Sequence, residues 1–130
     1  MLEVEKHGTI LDGVAANAAE SLRTAVVAVP HDSDITFTIA LTWGAATALN
    51  AALYKSVDGG VTYARVHSVS ISSGTGTMSE YTVTETVTGN DDMAVDLACK
   101  ACTHVKIIVS ATGGGAADLL TVKAGSAQWS

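Results

Sequence analysis

The feature that most constrains the fold is an unbroken alternation in the middle of the first half. Ile35, Phe37, Ile39, Leu41 and Trp43 alternate with Thr36, Thr38, Ala40 and Thr42. A period of two sends the two sets to opposite faces of a β-strand, so this stretch predicts one buried face and one threonine face. Tyr81, Val83, Glu85 and Val87 alternate with Thr82, Thr84 and Thr86 in the same way. Shorter apolar runs lie at residues 25–29, 49–55, 62–72, 93–98, 105–111 and 119–124, with Gly, Asn, Asp or Ser between them. Pro30, the only proline, ends the first of these runs, because it cannot donate to a ladder. About eight short strands at such spacing, with no internal repeat, predict an all-β chain, an antiparallel β-sandwich or jelly roll.

The N-terminal region differs. Residues 1–14 are mixed, with a short Thr9-Ile10-Leu11 run between Gly8 and Asp12-Gly13, and predict an arm or an edge strand. Residues 15–23 (AANAAESLR) hold the best helix formers of the chain and are expected to form a helical or irregular connection. The division is therefore 1–24 for arm and connection and 25–130 for the sandwich. Residues 73–79 (SGTGTMS) and 89–92 read as turns, residues 112–115 as the most flexible loop, and the parity shift along 62–72 as a bulge or twist.

At 130 residues, a single domain can bury roughly two-thirds of its unfolded surface without a disulfide or metal. Apolar residues make up 48% of the chain but aromatics only 5%, which predicts a thin core of Val, Ile, Leu and Ala that gains from association with other chains. The net charge of −6 and pI near 4.9 come without any Lys/Arg cluster, which argues against nucleic acid as a ligand. No apolar run is long enough to span a bilayer, and the first residues lack a basic segment followed by an apolar one. The expectation is neither a signal peptide nor a membrane span.

The stretch Ser56-Val57-Asp58-Gly59-Gly60-Val61-Thr62-Tyr63 sits between two alternating runs. Asp58 can accept bonds from backbone N–H groups two or three residues on, Gly59 and Gly60 take φ > 0 at no cost, and Thr62 and Tyr63 start a return strand. At Ser56, Asp58, Gly60, Thr62 and Tyr63 the spacing resembles the Asp box of sialidases and related β-proteins, with Tyr63 where that motif most often has Trp. The resemblance implies a folded turn and no catalysis. A propeller carries the box once per blade and this chain has it once, so a propeller is not expected.

Other candidate chemistry has a plainer alternative in each case. Cys99-Lys100-Ala101-Cys102, followed by His104, has metal-like spacing, but His7, His31 and His67 are scattered; free thiols are favoured over zinc or a redox pair and would suit a reducing cytoplasm. Asp32 and Asp34, and Asp91, Asp92 and Asp96 beside Asn90, have the donors calcium wants, although acidic turns explain them as well. No nucleophile elbow, zinc-protease motif, P-loop or dinucleotide fingerprint is present, so no enzyme, metal or cofactor is expected. Trp43, Tyr54, Tyr63 and Trp129 form a possible sugar-stacking set, with strand packing the commoner use of such rings.

Taken together, the threonine- and alanine-rich strands, the single Asp-box-like hairpin and the glycine-rich loop before Asp118-Leu119-Leu120-Thr121-Val122 resemble the small accessory structural proteins of tailed-bacteriophage particles. The resemblance implies a capsid decoration, or cement, protein that is made in the host cytoplasm and located in the virion. Such copies would associate, with trimers favoured, and bridge major capsid subunits, residues 1–14 and the tail with Trp129 reaching a neighbour and Trp43 a further candidate contact. Alternatives are a carbohydrate- or receptor-binding module of a tail fibre or appendage, and a neck or tail connector.

Overall fold

In a computed structural model, which describes residues 2–15, 23–28, 33–99 and 101–129, the central alternation becomes strand β3 (Ser33–Thr42). Ile35, Phe37, Ile39 and Leu41 are buried, while Asp34, Thr38 and Thr42 face solvent. The alternation stops short of Trp43. The strand ends at Thr42, and the indole lies in the following loop, 41% exposed.

Two antiparallel sheets enclose the core. In the first, β1 (Leu2–Ala15) pairs with β11 (Leu119–Trp129), β11 with β3, and β3 with β9 (Asp91–Cys99). In the second, β10 (His104–Thr112) lies between β2 (Arg23–Ala28) and β4 (Ala48–Ser56), and the far edge of β4 pairs with both β5 (Ala64–Arg65) and β8 (Thr82–Thr86). Leu49, Ala51 and Leu53 of β4, Val105, Ile107 and Val109 of β10, and Leu120, Val122 and Ala124 of β11 meet the β3 side chains in one continuous core. Phe37 is the only phenylalanine of the chain and is fully buried.

Several expectations change. Residues 2–15 are the edge strand of the first sheet, in register with β11 from Leu2↔Trp129 to Ala15↔Leu119 with three bulges, so the strand alternative holds over the free arm. Most of the helical or irregular connection, residues 16–22, lies outside the described residues, as do Pro30, His31 and Asp32. Residues 73–79 are not one flexible turn. Only Ser73 and Gly74 turn, and β6 (His67–Ser72) pairs with β7 (Thr75–Glu80) as a separate two-stranded sheet.

The glycine-rich loop after β10 is pinned as well: Gly114 N–H donates to Ala111 O at 3.1 Å, and Asp118 N–H to Gly115 O at 3.1 Å. The cysteines are not free thiols. Cys99 at the end of β9 and buried Cys102 are joined in a disulfide, their Cα atoms 5.4 Å apart, with Ala101 at φ 58° turning the chain back between them. A bonded pair, unlike free thiols, gives no reason to expect a reducing compartment.

Candidate functional site

The Asp-box-like turn joins β4 to β5 and is closed by side chains. Asp58 Oδ1 accepts from Ser56 Oγ at 2.7 Å and from Thr62 N–H at 2.9 Å, and Oδ2 accepts from the Thr62 hydroxyl at 2.5 Å. The backbone bond arrives from four residues on, rather than two or three, because Gly59 and Gly60, at φ 76° and 86°, carry the chain around the carboxylate first. Ser56 Oγ also accepts from Gly60 N–H at 2.9 Å. Hydrogen bonds from the Thr62 hydroxyl, the Thr62 amide and the Ser56 hydroxyl, in that order, hold the Asp58 carboxyl down at about 2. Every oxygen of this exposed carboxylate already has a donor, which gives it the role of a turn closure.

Tyr63 leaves the turn and lies across the outer face of the second sheet. Lys106 Nζ stands 4.6 Å from the ring centroids of both Tyr63 and Tyr54, and the Arg65 guanidinium carbon 5.4 Å from that of Tyr54. Trp43 is elsewhere: it precedes β4, whereas Tyr54 is near the end of that strand and Tyr63 beyond it. Its indole N–H donates to Ala46 O at 2.8 Å. The side chain of Trp129 lies outside the described residues. Among the three of these aromatic residues whose side chains are described, Tyr54 and Tyr63 are thus brought to one place and Trp43 is not.

Next to Tyr54, a groove of about 250 Å³ runs along the outer face between Asn50, Arg65, Thr82, Ile108 and Ser110. Asn50 Nδ2 donates to Thr112 Oγ1 at 2.9 Å. Arg65 forms an ion pair with Glu80 at 2.9 Å and donates to Thr82 Oγ1 at 2.7 Å.

A second polar centre was not singled out in the sequence. Asp118 is fully buried, and its carboxylate accepts backbone N–H bonds from Gly44 at 2.7 Å, Ala45 at 3.0 Å, Ala46 at 3.1 Å and Gly115 at 2.8 Å. Burial pushes this carboxyl up, but the amides of Gly115, Gly44, Ala46 and Ala45 outweigh it and hold it below the ordinary value of 3.8. Gly44 is required here, since a Cβ at that position would meet Ala117 Cβ at 2.8 Å. The signal available in the sequence was a single Asp at the start of an apolar strand.

Among the described residues no three His, Cys, Asp or Glu side chains gather as a metal site. His104 opens β10 and contacts Thr103 Oγ1 through Nδ1 at 3.0 Å. Asp34, Asp92 and Asp96 are exposed, and Asp96 accepts from Thr36 Oγ1 at 2.6 Å. Glu85 and Asp91 do meet, and the hydrogen bond between their carboxyls, followed by the charge of Asp91, raises Glu85 above its ordinary value of 4.5.

The remaining feature is the β6–β7 hairpin. The edge position beside β4 is filled in two pieces, β5 and β8, and residues 67–80 leave between them. Backbone bonds from Val66 N–H to Leu53 O (2.8 Å) and from Tyr81 N–H to Val66 O (2.9 Å) close the root, and Arg65 clamps it through Glu80 and Thr82. Val69 lies opposite Met78, and Ile71 opposite Gly76. These apolar residues share one face and are 58%, 64% and 77% exposed for Val69, Met78 and Ile71. The other face is made entirely of hydroxyl side chains: Ser68, Ser70, Ser72, Thr75, Thr77 and Ser79.

With this geometry in hand, comparison with solved structures defines the architecture. A chain of infectious bursal disease virus, Gx strain, superposes with a TM-score of 0.54 at 12% identity, over 97% of this chain and 31% of that one. VP2 of the same virus, in its subviral particle, gives 0.50 at 16% identity, over 97% and 32%. The protein is a jelly-roll β-sandwich. It spans about a third of the length of the two viral chains, and at these identities the likeness concerns the fold alone. A carbohydrate-binding module of type CBM28, specific for non-crystalline cellulose, reaches 0.49 at 12% identity, over 95% and 76%. No protein-family model matches the sequence, and no curated protein is similar to it in sequence.

Proposed function

We propose that this chain is a non-enzymatic structural component of a virus particle, a decoration protein whose copies associate, with trimers favoured, and bridge major capsid subunits. The observation that carries the reading is the β6–β7 hairpin, with its uncovered apolar face. A two-stranded hairpin is marginal by itself in water, and this one keeps Val69, Ile71 and Met78 in solvent on a single face. Both of its strand edges are unpaired within the described residues. The occupant assigned to that face is the hairpin of a second copy, because the free edge of β6 can meet the free edge of β7 in the next copy around a three-fold axis, with the apolar faces turned inward and the same side chains buried in each copy. The likeness of fold to a domain of a viral particle protein supports the setting.

This reading places the contact on the hairpin rather than on the N-terminal segment: residues 2–15 are held along one edge by β11, whereas the hairpin leaves both of its strand edges unpaired within the described residues. Light scattering on the purified chain tests it. The native protein is expected to have a multiple of the 13.2 kDa chain mass, and Ile71→Asp, at a site that touches no core, is expected to give a folded monomer. A monomeric native chain, or an oligomer indifferent to Ile71→Asp and to Met78→Asp, would count against the hairpin as the contact.

A further inference from the structure

We infer that the groove on the outer face of the second sheet is a binding site for a neutral glycan. This goes beyond the role in a particle and does not depend on it. The groove is lined by the hydroxyl groups of Thr82 and Ser110, the Asn50 amide, the Arg65 guanidinium, and an apolar floor from Ile108 beside Tyr54. Asn50 spends its N–H groups on Thr112 Oγ1 at 2.9 Å and on Ser110 Oγ at 3.4 Å. That fixes the amide and leaves its carbonyl oxygen as an acceptor, next to a Ser110 hydroxyl that still has its proton to donate. Thr82 Oγ1 likewise accepts from Arg65 and retains its own proton. Donors and acceptors are therefore held in place by neighbouring side chains before any ligand arrives, and such preorganisation lowers the cost of binding.

Charge decides the class of ligand. No carboxylate lines the groove, and both nearby cations are already engaged. Arg65 is paired with Glu80 at 2.9 Å, and the Lys106 ammonium lies 4.6 Å from each of two tyrosine ring centroids. Arg65 is the cation that lines the groove, and its charge is balanced by Glu80, while the Lys106 ammonium sits against the tyrosine rings outside the lining, so the lining itself offers an anion no unpaired charge. It matches a molecule that alternates C–H surface with hydroxyl groups, which is the chemistry of a neutral sugar ring. The faces of Tyr54 are partly taken by Lys106 and Arg65, so Ile108 and the edge of the tyrosine ring supply the apolar contact. At about 250 Å³ the groove falls below the usual pocket for a drug-sized ligand. It would seat one ring, and further residues of an oligosaccharide would extend along the open sheet face.

The test is a titration of the isotope-labelled full chain, followed by amide chemical shifts, with neutral gluco-, galacto- and manno-configured trisaccharides and with a sialylated trisaccharide as acidic comparator. Saturable shifts centred on Asn50, Thr82 and Ser110 are expected with at least one neutral sugar, with a dissociation constant on the order of 1 mM. Asn50→Ala and Ser110→Ala should each weaken binding about tenfold, while Trp43→Ala leaves it unchanged. Two variants on separate strands guard against a folding defect in either, and the spectra themselves report the fold. The inference is overturned if no neutral sugar gives a saturable shift up to about 10 mM, if only the sialylated sugar binds, or if binding survives both groove variants.

Discussion

Asp118→Ala lowers the free energy of unfolding by about 3 kcal/mol, because it removes a buried carboxylate and leaves up to four amide donors without an acceptor. For a chain of this size that corresponds to a fall in melting temperature of roughly 10 °C, measurable by thermal or urea unfolding. The loss is held near this figure because Ala45 is exposed, so water can reach part of the vacated site. Asp118→Asn, which keeps one acceptor oxygen but turns an amide N–H₂ toward other donors, is expected to fall between wild type and alanine.

The same substitution changes the response to acid. The folded value of Asp118 lies below its ordinary 3.8, so its contribution is fully present above that pH and disappears as pH falls through the lower folded value. Asp58, held at about 2 by the Ser56 and Thr62 bonds, acts in the same direction. Glu85 acts in the opposite direction: its value is raised above 4.5 by Asp91, so its contribution is present below that pH and is lost as pH rises through the folded value. The acid limb of the stability profile below pH 3.8 should therefore flatten in Asp118→Ala, and the Glu85 contribution above it should not change.

Phe37→Ala is the second large effect, expected to cost about 4 kcal/mol. Among the described residues Phe37 is the largest of the fully buried side chains, in a core otherwise built from Val, Ile, Leu, Ala and the Cys99–Cys102 pair. Small side chains cannot swing across to fill the space left by a ring, and a sandwich held by two paired sheets cannot close around it. Domains of this kind are stable by only about 5–15 kcal/mol, so the variant should unfold at markedly lower urea concentration with an unchanged slope. A loss below about 1 kcal/mol would mean that the interior is looser than its packing implies.

The comparison between the two positions shows what the sequence could reveal. Phe37 was legible because its alternation with threonines has a period that only a strand satisfies. The Asp-box turn was legible for the same reason of locality, since Ser56, Asp58, Gly60 and Thr62 bond to one another within a few residues. Asp118 was not, because three of its four donors come from a loop more than seventy residues earlier and nothing around Ala117-Asp118-Leu119 announces them. The β6–β7 hairpin was half legible. Val69 and Ile71 alternate with serines, but the returning strand, with Gly76 and a single apolar Met78, has the composition of a loop. The groove was not legible at all, since Asn50, Thr82 and Ser110 become neighbours only when β8 and β10 flank β4.

The proposed role of the chain is assembly on a particle. The direct measurement is the copy number of this chain on virus particles purified from cells that express it, quantified against the major capsid subunit. A fixed ratio of many copies per particle is predicted, together with rebinding of the purified native chain, but not of Ile71→Asp, to particles stripped of it. Particles that lack the chain altogether, or that bind the native chain and Ile71→Asp equally well, would contradict the account.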